Sequence, residues 1–408
     1  MPAIKNNSEY HKTIVSWRHW LHQHPELSFK EEQTSDFIAS ILTAYEITHH
    51  RGLAGTGIVA TIKGTQEGHT IGLRADIDAL PLQERNNFSH KSQHDGHMHA
   101  CGHDGHTAML LGAAVYLQQH NNFAGTVHFI FQPAEERDGG GRVMVEEGLF
   151  ELFPCNAIYG MHNWPSLEAG TFAVHDHAVM AAVDTLKIRI TGKGGHAAMP
   201  DQVIDPILTA AQITTALQSV VSRNVSPLES AVISITVIHA GDASNIIPDE
   251  VVMKGTLRYF DSHVGEKVKQ RIQQVIEHSC EAMGAKGELR IIAGYPATIN
   301  TSKHAQECAA AATALVGKRK VQRDLPPSMG AEDFSFLLNA CAGAYIWIGN
   351  GKGKNEEQGR CMLHNTHYDF NDDIAALGAS YWVELVQALL NNNKKNSTIL
   401  ASFINAKK

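Results

Sequence analysis

The sequence predicts an α/β protein: a core of strands and crossover helices, with a smaller β-α-β-β-α-β domain inserted into it. Three observations predict this. Thr126-Val-His-Phe-Ile-Phe-Gln132 is a nearly all-apolar strand, the signature of a sheet covered on both faces. It follows an earlier strand and an apolar helix, and strand–helix–strand order is the βαβ arrangement with a crossover connection. Near residue 183 the texture changes. Thr185-Leu-Lys-Ile-Arg-Ile190 alternates with period two, as a half-exposed strand does.

In chain order, residues 9–24 read as an amphipathic helix with Trp17, Trp20 and Leu21 on one face, stopped by Pro25. Val59–Ile62 and Thr70–Arg74 read as two strands around the turn Lys63-Gly64-Thr65. Ala108–Leu117 reads as a buried helix leading into the Thr126 strand. After the strand at 185–190 come a helix over Asp205–Val221, with Pro206 in its first turn, and strands Ala231–Ile238 and Glu250–Arg258. A helix over His263–Met283 and a strand at Glu288–Ile292 complete a ferredoxin-like split motif spanning 183–298. The chain then returns to the larger domain, which comprises 1–182 and 299–390. Its last elements are the helix Ala305–Val316, the strand Ala344–Ile348, a loop at His364 and a helix over Asp372–Leu390. Residues 391–408 read as a polar tail with one apolar patch at Ile399–Ile404.

Composition narrows the class. Of 408 residues, 43% are hydrophobic and 19% charged, ordinary for a globular enzyme. A formal charge of −8 with no basic stripe argues against a nucleic-acid partner. No apolar stretch is long enough to span a bilayer, and the first residues lack the pattern of a secretory signal. The six cysteines (101, 155, 280, 308, 341 and 361) follow no disulfide spacing, so free thiols in a cytoplasmic protein are expected.

The densest chemistry lies at His94, His97, His99, Cys101, His103, Asp104 and His106, interrupted by Gly102 and Gly105. Downstream come Gln132-Pro-Ala-Glu135-Glu136, Gly160-Met-His162 and Leu363-His364-Asn365. Thiolate, imidazole and carboxylate form the donor set of divalent transition metals. A lone histidine is more often solvated or packed in a core than a ligand; the Cys-Gly-His spacing and its neighbours separate Cys101 and His103 from that background. His94, His97 and His99 read as loop residues around the centre, and His106 as a supporting hydrogen-bond donor. A pair of metals needs a ligand that binds both ions. A thiolate or carboxylate can do so, and a neutral imidazole cannot. Cys101 is therefore the expected bridge, with His103, Glu136, His162 and His364 completing the two shells. In the carboxylate pair after Pro133, one residue is expected to bind metal while the other takes a proton from the attacking water.

These segments resemble a known family. Trp20-Leu-His-Gln-His-Pro-Glu-Leu-Ser28, Leu73-Arg-Ala-Asp-Ile-Asp-Ala-Leu-Pro81 and His99-Ala-Cys-Gly-His-Asp-Gly-His106 match the aminoacylase/hippurate hydrolase branch of the dinuclear metallohydrolases related to the dizinc carboxypeptidases. So do Gly192-Lys-Gly-Gly-His-Ala-Ala-Met-Pro200, Ser244-Asn-Ile-Ile-Pro248, Gly255-Thr-Leu-Arg258 and Gly330-Ala-Glu-Asp-Phe334. The resemblance implies a catalytic domain with a mixed sheet flanked by helices, and an inserted domain that makes a homodimer and covers the site as a lid. It implies hydrolysis of N-acyl amino acids by a metal-activated water, with two divalent ions, zinc or manganese, or else cobalt or nickel. It assigns ligation to Cys101, His103, Glu136, His162 and His364, and the base to Glu135. It implies that His196 stabilises the oxyanion and that Asn245 and Arg258 hold the substrate's carboxylate. The dizinc carboxypeptidases carry a metal-binding histidine where this chain has Asp76-Ile77-Asp78, so Asp76 and Asp78 are expected to support ligands rather than to be ligands. A dipeptidase and a deacetylase of N-acetylated diamino acids share the same motifs; a metal-binding protein without activity would carry a broken base or ligand.

Overall fold

The computed structural model describes residues 2–351 and 361–390, and the tail expected at 391–408 lies outside them. The chain divides into two compact units: Met1–Val179 with Ile299–Pro326 and Asp333–Lys408, and Met180–Thr298 with Pro327–Glu332.

The first unit is built on an eight-stranded mixed sheet. Its strands run in the order Thr48–Leu53, Gly57–Lys63, Ala124–Gln132, Gln66–Asp76, Ala157–Glu168, Gly343–Gly351, Phe172–Ala173 and Val321–Gln322. The turn at 63–65 is present, but the two strands flanking it do not pair. Ala124–Gln132 lies between them, antiparallel to the first and parallel to the second. The parallel step is made by the crossover helix His103–Gln119. An apolar strand inserted at the centre has both faces covered, and Val127, Phe129, Ile130 and Phe131 are fully buried. Gly343–Gly351, buried along its whole length, runs parallel to Ala157–Glu168. The helix Ala375–Leu390 packs against His103–Gln119, as does Glu9–Gln23.

Parallel neighbours end at the same edge of a sheet, where open α/β folds place their sites. Asp76 and Gln132 are register partners at the ends of their strands, and Arg74 pairs with Gly160, two residues before His162. Three strands thus deliver polar residues to one edge.

The second unit carries an antiparallel four-stranded sheet in the order Ala231–His239, Glu250–Tyr259, Ala182–Thr191, Lys286–Ala293. Along Ala182–Thr191, Leu186, Ile188 and Ile190 face the core while Lys187 and Arg189 face water. The helices Pro206–Asn224 and Ser262–Ala282 cover the inner face with Ile213, Leu217, Ile272 and Ile276. Each helix starts at an aspartate whose carboxylate accepts two backbone N–H groups: Asp205 from Ile207 and Leu208, Asp261 from His263 and Val264. A short ribbon pairs Gly195–His196 with Ile246–Ile247. The segment Pro327–Glu332 joins this unit although the sequence pattern groups it with the larger domain. Among the described residues no helix is long and apolar enough to cross a membrane.

Candidate metal centre

Cys101 and His103 sit at the start of the crossover helix, where Gly102 adopts φ +90°. A Cβ at this position would lie 2.3 Å from Asn163 Nδ2 and 2.5 Å from the Tyr368 hydroxyl. Glycine is therefore required twice over, for the left-handed backbone and for the close approach. Gly102→Ala is expected to cost about 2 kcal/mol or more of stability and to lower bound metal, read from thermal melts and elemental analysis.

Four chain segments bring the candidate donors together. Ligand atoms of Cys101, His103 and His162 lie within 4.8 Å of one another, and so do those of Cys101, Glu136 and His364. The two triads share the sulfur of Cys101, the position that a bridging thiolate would take. A third group, His103, Glu135 and Glu136, meets the same limit. Cys101 Sγ is 3.4 Å from His162 Nε2, and His364 Nε2 is 3.3 Å from Glu136 Oε1. Glu135 is buried, with the backbone N–H of Asp333 donating to its Oε1 at 3.4 Å.

Neighbours orient the histidines. His103 Nδ1 donates to the Asp78 backbone oxygen at 2.9 Å, with Oδ1 at 3.2 Å, and His162 Nδ1 donates to the Asn163 carbonyl at 2.6 Å. With Nδ1 of both rings donating to a backbone carbonyl, Nε2 is the nitrogen each turns toward the centre. His106 differs: Nδ1 bonds Asp76 Oδ1 at 2.6 Å, and Nε2 accepts the Asn163 backbone N–H at 2.9 Å. Both its nitrogens are occupied, so it supports Asp76 and Asn163 rather than offering a ligand atom. Asp78 holds His103, an expected ligand, whereas Asp76 holds His106, which is not one.

The residues fit a divalent metal pair. His103 Nε2 and Glu136 Oε1 are buried and make no hydrogen bond among the described residues, His364 Nε2 standing 3.3 Å from Glu136 Oε1 outside hydrogen-bonding geometry; this is a costly arrangement unless a cation takes them. Burial, and then the charges of Glu136 and Glu135, push the Cys101 thiol well above its ordinary range. Burial alone would pull His103 down, but Asp76 and Asp78 outweigh it and push it up to about 10. His162, buried and facing His106, is held well below the usual range. Carboxylates and imidazoles crowd together around the sulfur, a field that positive charge among them would relieve.

A second layer fixes these groups. Buried Arg74 donates to Gln132, Asp76 and Asp333, each at 2.8 Å, and Asp333 Oδ2 also accepts the Gly141 N–H. Buried Arg18 ties the first helix to Asp104 at 2.8 Å and to Asp369. Sequence spacing gave no sign of Arg18, Arg74, Asn163 or Glu31 as parts of this frame, although Arg74 and Asp333 fall inside matched segments.

The remaining expected residues lie in the second unit. His196 is exposed on the short ribbon, and its Nδ1 accepts the Ala198 N–H at 3.1 Å, which leaves the ring proton on Nε2. Asn245 is exposed, its carbonyl accepting the Ala197 N–H at 3.0 Å. Arg258 is half-buried in Glu250–Tyr259 and donates from Nη1 to the Met329 carbonyl at 2.7 Å.

A family model described as peptidase family M20/M25/M40 matches residues 72–388. The chain is 40% identical over 388 residues to an N-acetylcysteine deacetylase of Bacillus subtilis (strain 168), covering 94% of this chain and 99% of that protein. It is 38% identical over 368 residues to a hippurate hydrolase of Campylobacter jejuni, covering 90% and 94%. The crystal structure of a dinuclear metal-binding M20 peptidase from Bacillus subtilis superposes with a TM-score of 0.81 at 36% identity, covering 93% of this chain and 98% of that one. Matched over most of its length and at this identity, the chain belongs to the peptidase family M20/M25/M40.

Proposed function

We propose that the chain is a metal-dependent amidohydrolase that converts N-acyl-L-amino acids to a carboxylic acid and a free amino acid. The observation that carries this reading is the pair of donor triads sharing Cys101, with the buried carboxylate of Glu135 beside them. The names of the two relatives, N-acetylcysteine deacetylase and hippurate hydrolase, support the substrate class.

Cys101, His103, Glu136, His162 and His364 would hold two divalent ions, zinc or manganese first by donor chemistry, cobalt or nickel next. When bound, the ions supply Lewis-acid activation of the attacking water and of the amide carbonyl. Glu135 takes a proton from that water as it attacks and returns it to the amide nitrogen as the amine leaves. His196 donates from Nε2 to the oxyanion, a role its tautomer supports. Arg258 and Asn245 hold the substrate's carboxylate, the guanidinium by charge-assisted hydrogen bonds. A second copy of the chain pairs with the inserted domain, 183–298, to make a homodimer. All six cysteines are free, which suits a reducing cytoplasm.

The test is a substrate panel run after metal stripping and back-titration with single ions. Hippurate or an N-acetyl-amino acid should be hydrolysed only after an ion is restored. Turnover of dipeptides alone, or full turnover by the stripped protein, overturns the reading.

A further inference from the structure

We propose that Glu31 is a positioning residue that sets the turn carrying Glu135 and Glu136. The inference rests on the reading of Glu135 as the base. Ala134 immediately precedes that residue and has φ +54°, a left-handed conformation that costs an alanine about 1–2 kcal/mol. An outlier at this place is held by its surroundings or it does not persist.

What holds it is on both sides of the peptide. Glu31 Oε1 accepts the Ala134 N–H at 2.9 Å, and the Ala134 carbonyl accepts the Gly140 N–H at 2.8 Å. The next N–H but one, that of Glu136, goes to Asp78 Oδ2 at 3.0 Å. The turn is therefore clasped by one carboxylate at its entry and another at its exit. Asp78 belongs to a motif of the centre and also holds His103. Glu31 lies far away in sequence, at the start of the helix Glu32–Ala44, and is fully buried.

The carboxylate's other contacts make it rigid. Oε1 also accepts the Phe29 N–H at 3.0 Å, and Oε2 accepts the Thr56 hydroxyl at 2.7 Å. Three donors on one buried group leave it no freedom to turn away. Burial, with Asp78 nearby, pushes its pKa up to about 7. All three partners are donors, so what the turn takes from Glu31 is acceptor oxygens at a set reach. If φ of Ala134 relaxed to the right-handed region, the peptide leading to Glu135 would swing and the base would leave its aim. A displacement of about 1 Å at a reacting group can cost on the order of 100-fold in rate.

Reach and charge are separated by two substitutions. Glu31→Gln keeps the length: its carbonyl oxygen accepts both N–H groups and its amide donates to Thr56. Glu31→Asp keeps the charge but falls one methylene short of Ala134. With metal content equal by elemental analysis, E31Q should retain at least about a third of wild-type kcat. E31D should lose at least about tenfold in kcat with KM within about twofold. If E31D does not fold by near-UV circular dichroism, Glu31→Met, of similar length without an acceptor, takes its place under the same criterion. An active E31D, or an E31Q as impaired as E31D, overturns the proposal. Glu135→Gln run alongside separates the two claims: if it stays active, the base reading falls, and if it is inactive while E31D works, only the role of Glu31 falls.

Discussion

Glu135→Gln will give a folded protein that keeps its metals and turns over about 10²–10⁴-fold more slowly. The substitution is isosteric, and the glutamine carbonyl still accepts the Asp333 N–H that now reaches Glu135 Oε1. Glu135 itself is buried, although His364 at the rim is exposed, so water does not readily take the place of the missing base. What disappears is the one property glutamine lacks, a lone pair basic enough to take a proton near neutral pH. Because the proton moves only along the reaction path, kcat should fall while KM changes little. Steady-state kinetics with elemental analysis on the same preparation decide it. Turnover within about tenfold of the wild type would transfer the role of base to another group.

Cys101→Ala will lose metal and activity together. The sulfur is common to both triads, so its removal opens both at once, whereas loss of His162 or His364 touches one. The expected fall in metal affinity exceeds the roughly 10–100-fold typical of removing an outer hydrogen-bond partner. The alanine also leaves the carboxylates of Glu135 and Glu136, whose oxygens come within 4.8 Å of each other, with no ion to balance them, and like charges at such distances are expensive. Cys101→Asp is the informative companion. A carboxylate can bind two ions, as a thiolate can, so C101D should recover part of the metal content that C101A loses. Equal metal in C101A and wild type, after dialysis against a chelator, would remove Cys101 from the centre.

How much of this was legible beforehand depends on whether a residue announced itself by spacing. Cys101, His103 and the Glu135–Glu136 pair stood out because unlike donors crowd a short stretch. The strand at 124–132 stood out because it is apolar throughout. Its place between two earlier strands did not, since periodicity reports the faces of a strand and not its partners. The helix Glu32–Ala44 has no side-chain cap at its start, and the strand Thr48–Leu53 is largely exposed at a sheet edge, so neither carries a local signal. Glu31, Arg74 and Arg18 are single charged residues in unremarkable surroundings. Each acquires its meaning from partners more than twenty positions away, among them Ala134, Asp333 and Asp369. For His106 the sequence raised the right question, and both answers, Asp76 and Asn163, lie on strands away from its own helix.

His364 comes from a loop late in the chain, and the helix that backs the Cys101 segment, Ala375–Leu390, comes later still. A ribosome adding about 5–20 residues per second needs roughly 10–50 s to travel from position 101 to position 364. For most of that interval the nascent polypeptide carries a cysteine and two acidic residues without the last of the proposed ligands. Under the proposed ligand set, the triad that needs His364 can close only as synthesis ends, and an oxidant present during translation would meet the thiol before both triads hold it.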